Sequence, residues 1–169
     1  MKLFIIRLMY LLKRLSENPA DLFRTLGVED DDKILEIGCA VGYHTFPLSE
    51  ITSKGMVYAV DVWEDGLAYL EHKAIGDRHI KVIHVSAELI ELPVSSVDKI
   101  VCFDTLHDLP DWKNAINRWT GFLVEGGTLL YRDPIISAEK IETASKGKLQ
   151  RAKTLNGIQI FIHHTAAGN

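Results

Sequence analysis

Short apolar runs alternate with amphipathic segments along the middle of the chain. The runs stand at 33–38, 56–61, 79–85, 97–104 and 126–133, and segments with helical spacing stand at 43–51, 64–74 and 111–123. The runs are nearly continuous in apolar residues, which is the pattern of parallel strands buried on both faces. Strands that alternate with helices predict a doubly wound α/β sheet, in which ligands bind where the carboxyl ends of the strands meet.

The end of the chain departs from this alternation. Two β-compatible runs within 148–164 flank Asn156-Gly157, a dipeptide typical of a two-residue type I′ hairpin. A short helix is expected over 137–146, and Asp111 is expected to cap the helix over 111–123. The predicted fold is therefore an α/β, Rossmann-like, doubly wound sheet of seven strands, mostly parallel with a C-terminal antiparallel hairpin.

The chain is long enough for one core. Its 169 residues, of which 47% are apolar, predict a single domain over 1–169. We divide it into an N-terminal helical cover over 1–29, a core over 33–135 and a terminal hairpin over 147–164.

The first fifteen residues are apolar and basic. Arg7 interrupts the apolar run and leaves pieces too short to span a membrane, and no signal-peptide cleavage pattern follows. Two interpretations stay open. One is an amphipathic helix that packs over the domain; the other is a peripheral membrane helix, which the charges of Lys2, Lys13 and Arg14 would favour.

Charge and cysteine content narrow the range of functions. A net charge of -4 argues against a nucleic-acid binder, so no nucleic-acid partner is expected. Cys39 and Cys102 form no C-x-x-C pair, and no His/Cys cluster has the spacing of a zinc site. We therefore expect free thiols in a reducing, cytoplasmic setting and no metal site.

The candidate chemistry begins after the first apolar run, in the stretch EIGCAVG (residues 36–42). Small residues at every second position let the backbone approach a ligand closely. A dinucleotide fingerprint would need glycine at position 43, which is Tyr43, and the charge of Glu36 would repel a pyrophosphate. No P-loop Gly-Lys-Ser/Thr follows either. A ligand that carries positive charge fits this turn better.

Five motifs in consistent order resemble those of the class I S-adenosylmethionine-dependent methyltransferases. They are EIGCAVG (36–42), VYAVD (57–61), HVSAELIELP (84–93), VDKIVCFDTLHDLPDW (97–112) and FLVEGGTLLYRDP (122–134). The sequence is most similar to the small ubiquinone/menaquinone-biosynthesis-like branch, also called methyltransferase type 11. The resemblance covers about residues 17–135 and implies S-adenosyl-L-methionine as the cofactor.

The resemblance also implies the residues of a cofactor site. In this family the glycine-rich turn wraps the aminoacyl end of the cofactor, the acid before the turn holds its ammonium group, and the acid after the second strand binds both ribose hydroxyls. Ala87 would offer its N–H to the adenine ring, and Ser86 stands where an aspartate is common. The implied cofactor-binding residues are Glu36, Gly38, Cys39, Ala40, Gly42, Asp61, Val62, Trp63, Ser86, Ala87 and Asp104.

The implied activity is methyl transfer to a small-molecule acceptor. Asp104, His107 and Asp133 stand where the fourth and fifth strands end, and each is a candidate general base for an acceptor that holds its proton. Two alternatives stay open: a non-catalytic module that binds S-adenosylmethionine or S-adenosylhomocysteine, and a dehydrogenase-type dinucleotide binder. The identity of the acceptor and the oligomeric state stay open as well.

Overall fold

The computed structural model describes residues 19–165. The predicted helix over the first fifteen residues lies outside this range, as does its predicted contact with the domain or a membrane. Of the N-terminal helical cover, the structure describes one short helix, α1, at Pro19–Thr25. None of the helices within 19–165 has the length and apolarity to cross a bilayer.

Seven strands form one sheet in the described part of the chain. They are β1 (Lys33–Ile37), β2 (Met56–Asp61), β3 (Ile80–His84), β4 (Val97–Phe103), β5 (Leu123–Arg132), β6 (Leu149–Leu155) and β7 (Ile158–His163). Their order is β3-β2-β1-β4-β5-β7-β6. The first five strands pair in parallel, and β7 runs antiparallel to both β5 and β6. The predicted fold class is confirmed.

Helices cover both faces of this sheet. After α1 they are α2 (Thr45–Ile51), α3 (Glu64–Lys73), α4 (Trp112–Trp119) and α5 (Ala138–Ala144), and a 3-10 turn lies at Leu106–Asp108. One apolar core contains Trp119, Tyr131 and Phe161 on the side of α4 and α5. A second contains Phe23 and Leu48 on the side of α1 and α2, and a smaller third one contains Leu67 and Leu70 of α3. Because β1 and β4 lie at the centre, their apolar residues are buried from both sides.

The two edge strands are the least buried, and for β3 this departs from the predicted burial on both faces. The edge strand β3 is only partly buried, and β6, at the opposite edge, exposes most of its residues. Arg151 and Lys153 lie on β6. Charged residues on an edge strand hinder pairing with another sheet, which accounts for the polar sequence of β6.

The predicted boundary between the helix over 111–123 and the next strand is wrong. Helix α4 ends at Trp119, and β5 begins at Leu123. Phe122 and Leu123 sit at spacings that a helix would also bury, but the Phe122 carbonyl accepts hydrogen bonds from Ser96 and Val97 at the start of β4. Strand pairing therefore overrides the helical pattern of the sequence.

Three local predictions are confirmed. The Asp111 side chain accepts a hydrogen bond from the Asn114 N–H at 3.3 Å and caps α4. Asn156 and Gly157 both have positive φ angles, 51° and 74°, as a type I′ turn between β6 and β7 requires. A short helix, α5, lies within the predicted range 137–146.

Candidate functional site

The turn that follows β1, residues 38–42, is tied to the end of β2. The N–H groups of Gly38 and Cys39 both donate to the Val60 carbonyl, at 2.9 and 3.1 Å. Gly38 has a φ of 79°, and a Cβ at this position would lie 2.1 Å from Thr105 Oγ1. Glycine is therefore required both by the backbone conformation and by the close approach of the loop after β4.

The other two small residues of the turn have different roles. Ala40 adopts a φ of 48°, so an L-residue occupies the left-handed region that glycine fills without strain. Its N–H donates to Asp61 Oδ2 at 2.8 Å. Gly42 makes room for α2 and α3, because a Cβ there would lie 2.7 Å from Phe46 and 2.6 Å from Leu70.

The Asp61 carboxylate is fixed at the end of β2 by three backbone donors. Besides Ala40, the N–H groups of Val62 and Trp63 donate to its Oδ1 at 2.8 and 2.9 Å. A carboxylate has about four acceptor positions, so about one remains, on Oδ2. Asp61 is thus held in one orientation while it can still accept a hydrogen bond from a ligand hydroxyl.

Glu36 lies beneath the turn and is only 2% exposed. Its Oε2 accepts a hydrogen bond from the Thr45 hydroxyl at 2.6 Å, and its Oε1 has no hydrogen-bond partner within residues 19–165. Burial, with a further contribution from the charge of Asp61, raises the pKa of Glu36 to about 7 against the opposing effect of the Thr45 bond. A buried carboxylate with an unused oxygen is suited to a cationic group.

A cavity of about 530 Å³ opens above this turn, along the carboxyl ends of β1 to β5. We call it the turn cavity. Its lining residues are Gly38, Cys39, Ala40, Tyr43, His44, Val60, Asp61, Val62, Val85, Ser86, Ala87, Glu88, Phe103, Asp104, Thr105, Asp108, Leu109, Pro110 and Arg132. Its volume lies within the range of about 300–1,000 Å³ that is usual for small-molecule sites.

Most of the predicted cofactor-binding residues line this cavity, but three do not. Glu36 lies beneath the turn, Gly42 ends the turn and faces Phe46 and Leu70, and Trp63 packs against Gly66 at the start of α3. Burial raises the pKa of the Cys39 thiol, which therefore stays protonated at neutral pH. The binding role of each of these residues stays a prediction.

Residues after β3 form one wall of the cavity. The Ser86 hydroxyl donates to Glu88 Oε2 at 3.4 Å, which leaves its oxygen lone pairs available to accept. The carbonyl of Ala87 accepts a hydrogen bond from the Trp119 indole at 2.9 Å, and this bond fixes the backbone of the wall. Val62, on the neighbouring β2 loop, is 61% exposed and offers an apolar surface at the cavity edge.

An ion pair joins the ends of β4 and β5. Asp104 has a φ of 56°, and its carboxylate accepts hydrogen bonds from Arg132 Nε at 3.2 Å and Nη2 at 2.6 Å. The Arg132 guanidinium lies 5.0 Å from the centre of the Phe103 ring. Arg132 stands at the end of the fifth predicted strand. Phe103 is a residue that sequence reasoning missed, although it too stands at a strand end, which is the signal that identifies a cavity edge in this fold.

Aromatic rings form the wall nearest α1. His44 contacts Tyr43, Phe103 and Phe23 edge to face, with ring centres 4.8, 5.3 and 5.7 Å apart. Phe23 and Phe103 stack with ring centres 6.1 Å apart. The turn cavity therefore has a polar side at Asp61 and an aromatic side at Tyr43, His44 and Phe103.

His107 and Asp133, two of the three predicted bases, contact each other. The His107 Nδ1 lies 2.9 Å from Asp133 Oδ2, and the His107 N–H donates to the same oxygen at 3.1 Å. Neither residue lines the turn cavity, but Asp108, which follows His107, and Thr105, two positions before it, do. Asp104, the third predicted base, lines the cavity and is held by Arg132.

A larger cavity, of about 820 Å³, lies between α4 and α5. None of the predicted site residues lines it. Within residues 19–165, no group of three His, Cys, Asp or Glu side chains is placed to hold a metal ion. We assign the candidate site to the turn cavity, because the fixed carboxylate, the glycine turn and the buried glutamate converge there.

The residues that line the turn cavity, together with Glu36 beneath the turn, fit S-adenosylmethionine. Glu36 offers a buried, unused carboxylate oxygen to a cationic ammonium group, and Asp61 offers a fixed acceptor to a ribose hydroxyl. The same arrangement is unfavourable for a pyrophosphate, because two carboxylates lie near the turn and Tyr43 replaces the third glycine of a dinucleotide site.

Comparison with known proteins agrees with this assignment. Residues 35–131 match a protein family described as a methyltransferase domain. The aklanonic acid methyltransferase DauC of Streptomyces sp. (strain C5) is 28% identical over 110 residues, which cover 63% of this chain and 50% of that protein. The demethylmenaquinone methyltransferase of Geobacillus stearothermophilus is 28% identical over 110 residues, covering 63% and 47%. The chain thus spans about half the length of these relatives.

Solved structures share the fold. A SAM-dependent methyltransferase from Aquifex aeolicus superposes with a TM-score of 0.72 at 20% identity, covering 88% of this chain and 90% of that one. The magnesium protoporphyrin IX methyltransferase ChlM from Synechocystis PCC 6803, solved with bound SAM, gives a TM-score of 0.68 at 14% identity, covering 93% and 81%. The predicted resemblance is confirmed at the level of family and fold.

Proposed function

Because this chain belongs to the methyltransferase domain family, we propose that it is an S-adenosylmethionine-dependent methyltransferase that acts on a small-molecule acceptor. The observation that carries the proposal is the unused Oε1 of buried Glu36 beneath a glycine turn that is hydrogen-bonded to Asp61. The family match favours catalysis over a non-catalytic cofactor-binding module.

Different residues of the chain would bind different parts of the cofactor. Glu36 would hold the ammonium end of the cofactor from below the turn, and Asp61 would hold the ribose through the free position on Oδ2. Ser86 and the Ala87 N–H would face the adenine, with Val62 packing against the ring. When bound, the cofactor supplies an electrophilic methyl group on a sulfonium centre.

The acceptor would bind on the aromatic side of the turn cavity. Tyr43, His44 and Phe103 offer ring surfaces there, which suits a flat and partly apolar molecule. One relative is named for demethylmenaquinone, and another for aklanonic acid. We therefore propose a quinol-type acceptor. We also propose a reducing, cytoplasmic location, which the free and buried thiols of Cys39 and Cys102 support.

Calorimetric titration tests the cofactor proposal. S-adenosylmethionine and S-adenosylhomocysteine should bind the wild type, and NADH should not. Asp61→Ala should weaken both sulfur compounds about tenfold or more, because a hydrogen bond to a charged group contributes about 1.5–3 kcal/mol. Asp65→Ala is the matched control, since Asp65 is an exposed acid in the first turn of α3 that lies outside the cavity. Failure of both sulfur compounds to bind the wild type would overturn the proposal.

Turnover tests the acceptor class separately. Formation of S-adenosylhomocysteine would be followed with 1,4-naphthohydroquinone and, as a polar comparison, with glycine. The proposal predicts turnover of the quinol alone. Turnover of glycine alone would leave the methyltransferase assignment standing and reject the quinol-type acceptor.

A further inference from the structure

The loop after β4 and the end of β5 hold one imidazole in a single orientation. Asp133 has no exposed side-chain surface, and its Oδ1 accepts the N–H groups of Ile135 and Ile136 at 2.9 and 3.0 Å. Its Oδ2 accepts both the backbone N–H and the Nδ1 of His107, at 3.1 and 2.9 Å. All four acceptor positions of this carboxylate are therefore used, and two of them hold His107.

This arrangement determines which ring nitrogen of His107 is available. An ionised carboxylate can only accept hydrogen bonds, so Nδ1 must carry the hydrogen that it donates to Asp133. The lone pair of the neutral ring is then on Nε2. Asp108 Oδ1 lies 3.6 Å from Nε2, beyond hydrogen-bond range. Since Asp108 lines the turn cavity, Nε2 faces a residue of the cavity wall.

We propose that His107 is the general base of the acceptor site and that Asp133 is the positioning residue that fixes its tautomer. This inference rests on the proposed methyltransferase function. It selects one base from Asp104, His107 and Asp133. Asp104 is ion-paired with Arg132 and Asp133 is saturated with donors, whereas Nε2 of His107 has no hydrogen-bond partner within residues 19–165.

In the proposed methyl transfer, His107 takes the proton of the acceptor hydroxyl. The acceptor O–H bond breaks, and its proton goes to Nε2 of the neutral ring. The electron pair left on the acceptor oxygen forms the new bond to the methyl carbon. The pair of the former sulfur–carbon bond stays on sulfur, so the cationic sulfonium becomes a neutral thioether. The imidazolium of His107, stabilised by Asp133, then releases its proton to solvent.

The surrounding charges support this role. The hydrogen bond to Asp133, together with the charges of Asp133, Asp108 and Asp104, raises the pKa of His107 above its ordinary value despite partial burial. Burial alone would raise the pKa of Asp133, but the hydrogen bonds from His107, Ile136 and Ile135 together lower it, so the carboxylate stays ionised. Arg132 compensates the charge of Asp104, whereas within residues 19–165 Asp108 and Asp133 form ion pairs with His107 alone.

The test combines nuclear magnetic resonance with kinetics. In the wild type, the nitrogen shifts of His107 should report hydrogen on Nδ1 and a lone pair on Nε2 once the ring is neutral. Asp133→Asn should lower the pKa of His107 and, because an amide can donate to Nδ1, move the hydrogen to Nε2. Addition of 1,4-naphthohydroquinone with S-adenosylhomocysteine should shift the His107 resonances. Unchanged resonances with saturating probe would overturn the proposal.

Kinetics distinguish a base from a structural residue. His107→Gln should lower kcat with the quinol about 10²–10⁴-fold, while the Kd for S-adenosylmethionine stays within about threefold of the wild type. Asp133→Asn should shift the rise of kcat with pH to lower pH, which a merely structural role would not do. His72→Gln, at an exposed position near the end of α3, is the matched control. If His107→Gln has the kcat of the wild type, this inference is overturned and the cofactor proposal still stands. If the wild-type protein does not bind S-adenosylmethionine, the proposed function itself is overturned.

Discussion

The two ends of the turn cavity are built by different kinds of contact. At the β1–β2 end, backbone N–H groups hold Asp61, and the turn residues that supply them lie within a few positions of a strand. At the β4–β5 end, side chains hold other side chains, as in the pairs of Asp104 with Arg132 and His107 with Asp133, which stand 28 and 26 residues apart. The first end therefore depends chiefly on backbone conformation, although its Ala40–Asp61 bond also joins residues 21 positions apart. The second end depends on particular side chains that the sheet brings together.

This difference matches our proposal that the β1–β2 end binds the cofactor and the β4–β5 end acts on the acceptor. A site for a common cofactor can be formed by backbone geometry, which changes little when side chains change. A site for a particular acceptor needs specific side chains, and loops at the ends of β4 and β5 supply them without disturbing the turn. If the two ends are separate, a substitution at one end should leave the function of the other unchanged.

Substitution of Gly38 should damage both ends, because this residue is where they touch. Gly38→Val places a side chain on Thr105 in addition to straining a φ of 79°. We expect a loss of about 2–5 kcal/mol in the free energy of unfolding, from about 1–2 for the backbone and about 1–3 for the overlap. Urea unfolding measures it.

Gly76→Ala provides the matched control for Gly38. Gly76 has a similar φ of 88°, but nothing lies within 4 Å of a Cβ there. Only the backbone contribution of about 1–2 kcal/mol should appear. Equal losses in the two variants would show that Thr105 does not press against the turn.

Glu36 should make the stability of the β1–β2 end depend on pH. Its folded-state pKa of about 7 lies above the ordinary value of 4.5, so the contribution of this residue to stability is complete below about pH 4.5 and is lost as the pH rises through about 7. The loss should be about 3 kcal/mol, at about 1.4 kcal/mol for each unit of pKa. Urea unfolding of wild type and Glu36→Gln at several pH values measures the difference.

Cofactor binding should have the opposite dependence on pH. Affinity for the cationic ammonium group should rise as Glu36 ionises, and Glu36→Gln should remove most of that rise. Glu71→Gln, an exposed position on α3, controls for a general effect of charge. A wild-type affinity that is constant across pH 5 to 8, the window in which this group ionises, would contradict an ionisable role for Glu36.

Breaking the ion pair at the β4–β5 end should have a smaller effect on folding. Arg132→Met should lower the free energy of unfolding by at most about 1 kcal/mol, because this pair is partly exposed to solvent. The Kd for S-adenosylmethionine should change by about twofold or less, which corresponds to about 0.5 kcal/mol. Arg132→Lys is the control, because lysine keeps the positive charge but cannot form the bidentate contact with Asp104. A tenfold loss of cofactor affinity would break the proposed separation of the two ends.

Ala40→Gly should be the mildest change and should stabilise the protein. Relief of a φ of 48° is favourable by about 1–2 kcal/mol, and the greater freedom of glycine in the unfolded chain opposes it by about 0.4–1 kcal/mol, so a net gain of about 0.5–1 kcal/mol is expected. Ala68→Gly, at an exposed position inside α3, should instead destabilise by about 1 kcal/mol. A loss in Ala40→Gly would show that the turn does not strain alanine.

The same contrast explains what could be predicted from the sequence. The order of strands and helices, the terminal hairpin and the positions of Glu36, Gly38 and Asp61 are encoded in short stretches with known local geometry. The contact between His107 and Asp133 could not be predicted, because it depends on the parallel register of β4 and β5, with Phe103 opposite Arg132. The end of α4 was mistaken for the same reason, since Phe122 follows its helical spacing but pairs with the start of β4.

The most direct test of the account is titration of S-adenosylmethionine into two variants side by side, Asp61→Ala and His107→Gln. The account predicts that the first loses affinity about tenfold or more and that the second binds like the wild type, because the cofactor is held at the β1–β2 end and His107 acts at the other. Equal affinities in the two variants, whether both retained or both lost, would contradict it.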